Sequence, residues 1–226
     1  LLSLNLSKTE DLTIDLTYHN NSHTKFLGII LEANLKWKKH IDTVCNKIAK
    51  GMFLIRKLRY EVTLDVLKVI YFSYIYPHIL YGILLWGNDP NIKGILILQK
   101  KAIKIMCNVN VRTHSKPLFK KLNILTVTSL YIIECLMCVK KNLDIFKTNS
   151  DSHSYSTRHR NNLKLNFCKN STSKRSFHEQ GIKLYNALPQ YVKDYDVDTF
   201  KWTVKRLLCE HSLYEMDEYF CIFNCI

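Results

Sequence analysis

The stretch VIYFSYIYPHILYGILLWGN, Val69 to Asn88, carries no formal charge and, if helical, is about as long as a bilayer core is thick. A run of this kind either crosses a membrane or is buried in a protein core. Pro77 and His78 stand at its centre, four tyrosines are spread along it and two glycines lie near its end. Proline disfavours helix for the residue before it and breaks the hydrogen bonding behind it. The run therefore reads as a buried helix broken at Pro77, with no membrane as partner. The rest of the chain must then cover it, and 226 residues at 47% hydrophobic and 12% aromatic content suffice for one large domain or two small ones.

Periodicity around this run is helical from Trp37 to about Phe146. Ile41, Val44, Cys45, Ile48, Met52 and Ile55 recur at helical spacing, while Lys38, Lys47 and Lys50 lie largely off that stripe. Thr63 is placed to cap a helix of Leu64 to Tyr76, and a further helix is expected over about Asn91 to Cys107. Its inward residues are Ile95, Leu98, Ala102, Ile103 and Ile105. Pro117 precedes a short helix, and Ser129 to Phe146 makes another apolar one. The first 35 residues read as β structure: Leu12 to Tyr18 alternates as a half-buried strand, HNNSH is a turn, and KFLGIIL (Lys25 to Leu31) is a more buried strand. Together they predict a hairpin, with Gly28 marking a bulge or a close approach. Residues 147–175 are a polar, basic linker with one short strand at NLKLNF. Residues 176–226 form a C-terminal helical region, with Asp198 or Thr199 capping its last long helix. The expected fold is predominantly α with a small N-terminal β-hairpin, an α+β chain.

Thirty-three Lys and Arg against nineteen Asp and Glu give a formal charge of +14, an excess that points to a polyanionic partner. The cations come in blocks. Lys36 to Arg59 holds eight with one acid, Lys93 to Lys121 holds eight with none, and Ser156 to Arg175 holds six with none. Asp194 to Glu218 reverses the balance, with seven acids and three basic residues. Basic blocks separated by apolar ones suggest a surface stripe assembled from several elements, the pattern of a backbone-tracking groove.

The eight cysteines follow no regular framework, and no apolar leader opens the sequence, so reduced thiols in a cytosolic or nuclear compartment are expected. Cys135 and Cys138 sit in an apolar helix and read as core thiols. Cys209, His211, Cys221 and Cys225 form a weak candidate for a Cys₃His zinc site, since their spacing matches no common template. Asp194, Asp196 and Asp198 read as a negative lead-in to the following helix rather than a cation site. Trp86 and Trp37 are both expected in the core.

One family shows these pieces in the same order. NLSKT (Asn5 to Thr9), TKFLGIILEANLKWKKHI, SYIYPHILYGILLWGN, ILQKKAIKIM, KPLFKKLNIL, YSTRHRNNLKL and GIKLYNALP resemble the C-terminal part of the reverse transcriptase of jockey-like non-LTR retrotransposons. Each motif is weak singly, but seven in one order are specific, and they extend to about Leu208. The resemblance implies the end of a palm in residues 1–35 and a thumb-like bundle in 36–146, acting on an RNA–DNA template–primer duplex or RNA. Lys8 matches a lysine proposed to help protonate the leaving pyrophosphate. Phe26, Leu27 and Gly28 match the element that grips the primer strand. Lys36, Trp37, Lys38, Lys39, Lys47, Lys50, Lys100, Lys101, Lys104, Arg158 and Arg160 are the expected nucleic-acid contacts.

The sequence departs from that family where its chemistry sits. Two-metal phosphoryl transfer needs carboxylates that share Mg²⁺ ions, which the family takes from one early palm aspartate and a later Asp-Asp pair. No adjacent Asp-Asp pair occurs in this sequence. Asp11 and Asp15 share a strand face at about 13 Å, too far apart to share ions. The expectation is a chain that binds no cofactor itself, keeps template–primer contacts and does not polymerise DNA alone. Mg²⁺ belongs to the intact polymerase, whose N-terminal half is then a missing partner. The alternatives are a nucleic-acid-binding or interaction module kept by a host, and an inert pseudogene product.

Overall fold

The computed structural model describes residues 23–34, 36–151, 160–167 and 169–224. It opens on a two-stranded antiparallel sheet, β1 (His23–Phe26) and β2 (Ile29–Glu32), with His23 opposite Glu32 and Phe26 opposite Ile29. The connection is two residues long. Leu27 and Gly28 both take the left-handed region, at φ 45° and 82°. Two such residues in succession make the primed turn whose twist matches that of the strands it joins. KFLGIIL is therefore not one strand but the end of β1, a turn and most of β2, and Gly28 occupies the turn rather than a bulge. Leu12–Tyr18, the other expected strand, lies outside the described residues.

Helix α1 (Lys38–Leu58) follows, burying Ile41, Val44, Ile48, Met52 and Ile55 as its periodicity requires. The charge-free run becomes three short helices, α2 (Leu64–Tyr74), α3 (Tyr76–Leu80) and α4 (Ile83–Trp86). The first break falls at Ile75, so Pro77 enters the first turn of α3, where its missing N–H costs no helical hydrogen bond. The second falls at Tyr81 and Gly82, the latter at φ 65°. Ile75, Ile79, Ile83 and Trp86 are all buried, and the Trp86 indole N–H donates to the Tyr81 carbonyl at 3.1 Å. Just past α4, Gly87 packs so closely on the Tyr131 ring that an added methyl group would overlap it.

A 3₁₀ turn, Pro90–Ile92, leads into α5 (Lys93–Met106), then come α6 (Lys116–Leu122) and α7 (Val127–Lys141). The inward side of α5 is Ile95, Leu96, Gln99, Ala102, Ile103 and Met106, so Leu98 and Ile105 are only half-buried. Helix α7 is the central element, packed by α3, α4, α5, α9 and α11 and buried along most of its length. Among the described residues no single helix is long and apolar enough to cross a membrane. The pair α6 and α7 matches by composition only, with a bend of 56° between them.

The chain then runs through an isolated bridge between Thr148 and Leu163, so NLKLNF contributes one paired residue instead of a strand. The last unit is α8 (Ser171–Lys174), α9 (Phe177–Asn186), α10 (Gln190–Lys193), α11 (Val197–His211) and α12 (Met216–Asn224). Asp196 caps α11, accepting from the N–H groups of Asp198 and Thr199, which places the cap two residues before the first of those expected.

Within the apolar core Thr126 and Ser129 at the start of α7 are fully buried, as is Gln99 of α5. Its amide nitrogen donates to the Tyr71 hydroxyl of α2 at 2.8 Å and to the Leu125 carbonyl at 3.2 Å. Its oxygen accepts the Val127 N–H, at the start of α7, at 2.7 Å. Gln99→Leu keeps the volume but strands three buried polar partners, so it should lower stability by about 3 kcal/mol or more. Urea denaturation of the variant beside the parent chain checks this.

Candidate nucleic-acid interface

The hairpin and α1 adjoin in the chain, and two hydrogen bonds fix how they meet. The Lys39 N–H in the first turn of α1 donates to the Glu32 carboxylate of β2 at 2.8 Å. Trp37 provides no side-chain cap, so this carboxylate acts as the cap from outside the helix. Two residues back in β2, the Ile30 N–H donates to Nδ1 of His40 at 3.3 Å. A third bond fastens the tip: the Tyr81 hydroxyl, between α3 and α4, donates to the Leu27 carbonyl at 2.5 Å.

The tip is thus held at its base and at its end while its apolar side chains face outward. Leu27 is 74% exposed and Phe26 52%. A Cβ on Gly28 would meet the Tyr81 ring at an ordinary 3.7 Å, so glycine is required here for its left-handed backbone and not for want of space.

His40 is the internal joint. It is buried between Trp37, edge-on at 6.3 Å, and Trp86, tilted at 5.7 Å, and its Nε2 has no hydrogen-bond partner. Trp86 is fully in the core and Trp37 packs against it half-buried. Burial first, and the Lys47 charge second, hold the His40 pKa below its ordinary value. The same two causes lower His78 of α3, which places Lys47 toward that helix.

The expected cations divide into two sets. Lys36, Lys38, Lys47 and Lys50 are exposed on the approach to α1 and along it. At roughly 100° per residue, Lys39 and Lys50 share one line, with Lys38 and Lys47 on either side of it, so the block covers the wet half of the helix and not a single stripe. The Lys39 ammonium also lies 3.0 Å from Nδ1 of His23 in β1, tying this line to the hairpin. On α5 only Lys101 projects freely into solvent. Lys100 lies over the Tyr214 ring at 3.4 Å, and burial followed by the charges of Lys104 and Lys116 presses its pKa down. Lys104 donates to the Val111 carbonyl at 2.5 Å. Arg160 is exposed, at a distance in sequence from both. Lys8 and Arg158 lie outside the described residues.

Among the described residues no three His, Cys, Asp or Glu side chains converge on a point that could hold a metal ion. Of the zinc candidates, Cys209 is buried, His211 and Cys221 are exposed, and Cys225 lies outside the described residues; the three described ones form no group that could hold a metal ion. Cys135 is buried and Cys138 half-buried in α7, with burial raising both thiols above their usual range.

With this geometry in place, one likeness bears on it. A stretch of 111 residues is 28% identical to a probable RNA-directed DNA polymerase from transposon BS of Drosophila melanogaster. The chain is related to a transposon polymerase. The match covers 47% of this chain and about 12% of the relative's length. No protein-family model and no solved structure matches the chain.

Sequence reasoning singled out Phe26, Leu27, Gly28 and the lysine block, but took the first three for part of a buried strand and missed Glu32, His40 and Tyr81, the side chains that position them. Nothing local to these residues announces their partners, which lie seven, ten and fifty-four residues away in the chain. Because folding holds His40 neutral, the unfolded chain takes up its proton first as pH falls. Stability should therefore drop as pH falls below the ordinary histidine value of 6.5, and level off below the depressed folded value. His40→Asn offers an acceptor near Nδ1 without the titration, so its melting temperature should fall less between neutral and mildly acid pH.

Proposed function

We propose that the chain is the primer-holding and duplex-holding part of a jockey-like non-LTR retrotransposon reverse transcriptase, from the end of the palm through the thumb. The observation that carries this reading is a hairpin tip pinned by Tyr81 that opens directly into a lysine-covered helix. In-line attack by a primer end requires that end to be held to a fraction of an ångström. Phe26 and Leu27 would lie against the primer backbone near its 3′ end. Lys36, Lys38, Lys39, Lys47 and Lys50, with Lys101 on α5, would neutralise the phosphates behind it without reading sequence. The transposon-polymerase likeness supports this, since it names a nucleic-acid substrate for the related protein.

Magnesium and the aspartates that hold it would belong to the rest of the polymerase. Lys8 would assist the leaving pyrophosphate only in that company. On this reading the 226-residue chain binds an RNA–DNA hybrid and does not extend it.

Hybrid affinity should fall steeply with salt. Changing Lys38, Lys39, Lys47 and Lys50 together to Glu should weaken binding by about a hundredfold or more and reduce the salt slope by about four. A titration of the hybrid at several salt concentrations measures both. Unchanged affinity in the quadruple variant, with its circular dichroism intact, would sink the assignment.

A further inference from the structure

The acidic segment Asp194 to Glu218 holds three basic residues, Lys201, Lys205 and Arg206, and all three lie on α11 beside Trp202. Trp202 is 60% exposed, although a ring of that size usually turns at least one face into the core. The Arg206 guanidinium lies over it at 4.6 Å from the ring centre. Trp202, Arg206 and Glu210 line two clefts. One, of about 270 Å³, is bounded by Lys120 of α6 together with Lys205, Arg206 and Glu210. The other, of about 320 Å³, runs along Tyr191 and Tyr195.

The charge around the first cleft is one-sided, with three cations against Glu210. The second cleft is lined by Glu210 and a single cation, Arg206, and by Tyr195, which lies between Asp194 and Asp196 in the chain, so a polyanion is better matched from Trp202 toward α6. An acidic peptide would satisfy the cations but leave the indole face unused. A double helix cannot use it either, because its bases are already stacked on one another. An unpaired strand matches both features, with a base on the ring and flanking phosphates on the cations.

We propose that Trp202 is a stacking platform for a base of single-stranded nucleic acid, whose phosphates lie against Lys120, Lys205 and Arg206. This site shares no residue with the duplex-holding surface. Helix α11 packs against α6, α7 and α10, whereas α1 packs against β2, α2, α3 and α5.

The test is fluorescence anisotropy of a labelled oligouridylate of about 12 nucleotides, long enough to reach from the ring to its flanking cations. Trp202→Ala should weaken binding about tenfold or more, while Trp202→Phe keeps most of it. Binding of an RNA–DNA hybrid should be unaffected by either change. The Lys38, Lys39, Lys47 and Lys50 to Glu variant should still bind oligouridylate, so this site and the duplex surface fail separately. A matched oligodeoxythymidylate shows whether the strand is RNA or DNA, and tighter binding of either supports the platform. Because Trp202 is exposed, its replacement should leave the melting temperature in place. Should it not, Lys205→Glu with Arg206→Glu tests the phosphate side and should likewise abolish oligouridylate binding. The proposal is overturned if the parent chain does not bind oligouridylate, or if Trp202→Ala binds it equally well. It is also overturned if polyglutamate binds the parent chain more tightly than oligouridylate does and equally well after Trp202→Ala, which would mark an acidic protein partner.

Discussion

The Gln99 amide sets the geometry from which most of the chain takes its position. It sits where α2, α5 and the start of α7 meet, and its three hydrogen bonds place each against the others. In an apolar interior an amide is tolerated only when its partners are in place, so the site admits one arrangement of those helices. The burial that makes the Tyr71 hydroxyl so reluctant to ionise is the same burial that makes this bond directional. From the start of α7 the order passes to the C-terminal region. The Thr126 hydroxyl caps α7 through the Ser129 N–H and donates to the Leu213 carbonyl, and Thr128 reaches the Tyr214 carbonyl. Tyr214 in turn lies under Lys100, beside Lys116 paired with Glu218.

The same frame orients α1. Since α1 packs along α5, the burial of Ile41, Ile48 and Ile55 decides which half of the helix carries lysines to solvent. The hairpin is then carried on the start of that helix, by Glu32 and His40, and on the α3–α4 corner, by Tyr81. A tip fastened at its base and its end, and a set of largely solvent-exposed ammonium groups, are thereby joined in one surface. The first suits a contact that must be exact in position, and the second a contact that only has to neutralise charge.

Much of this was legible in the sequence where a period or a breaker carried it. The stripe of α1, the burial of Trp86, the break before Pro77 and the negative entry to α11 all follow from local chemistry. The hairpin turn did not show, because Leu-Gly stands where Asn-Gly would announce a two-residue turn, and strands of four residues are too short to display alternation. Gln99 did not show either. A polar residue in a helical stripe reads as a flaw in the pattern until its three partners, each more than twenty residues away, are known. The candidate site divided in the same manner: exposed cations are countable in a sequence, but Lys100 and Lys104 looked identical to Lys101 until the fold placed Tyr214 and Val111 beside them.

Gly87 gives a different kind of information. The spacing between the end of α4 and α7 is set by an atom that is not there, so every substitution at that position pushes two core helices apart. Surface lysines can be exchanged with little effect on the fold, and core isoleucines can drift to valine or leucine. This position has no neutral neighbour in sequence space. Gly87 would therefore act as a marker of selection on the folded product: kept where that product is in use, and free to change at the background rate where it is not.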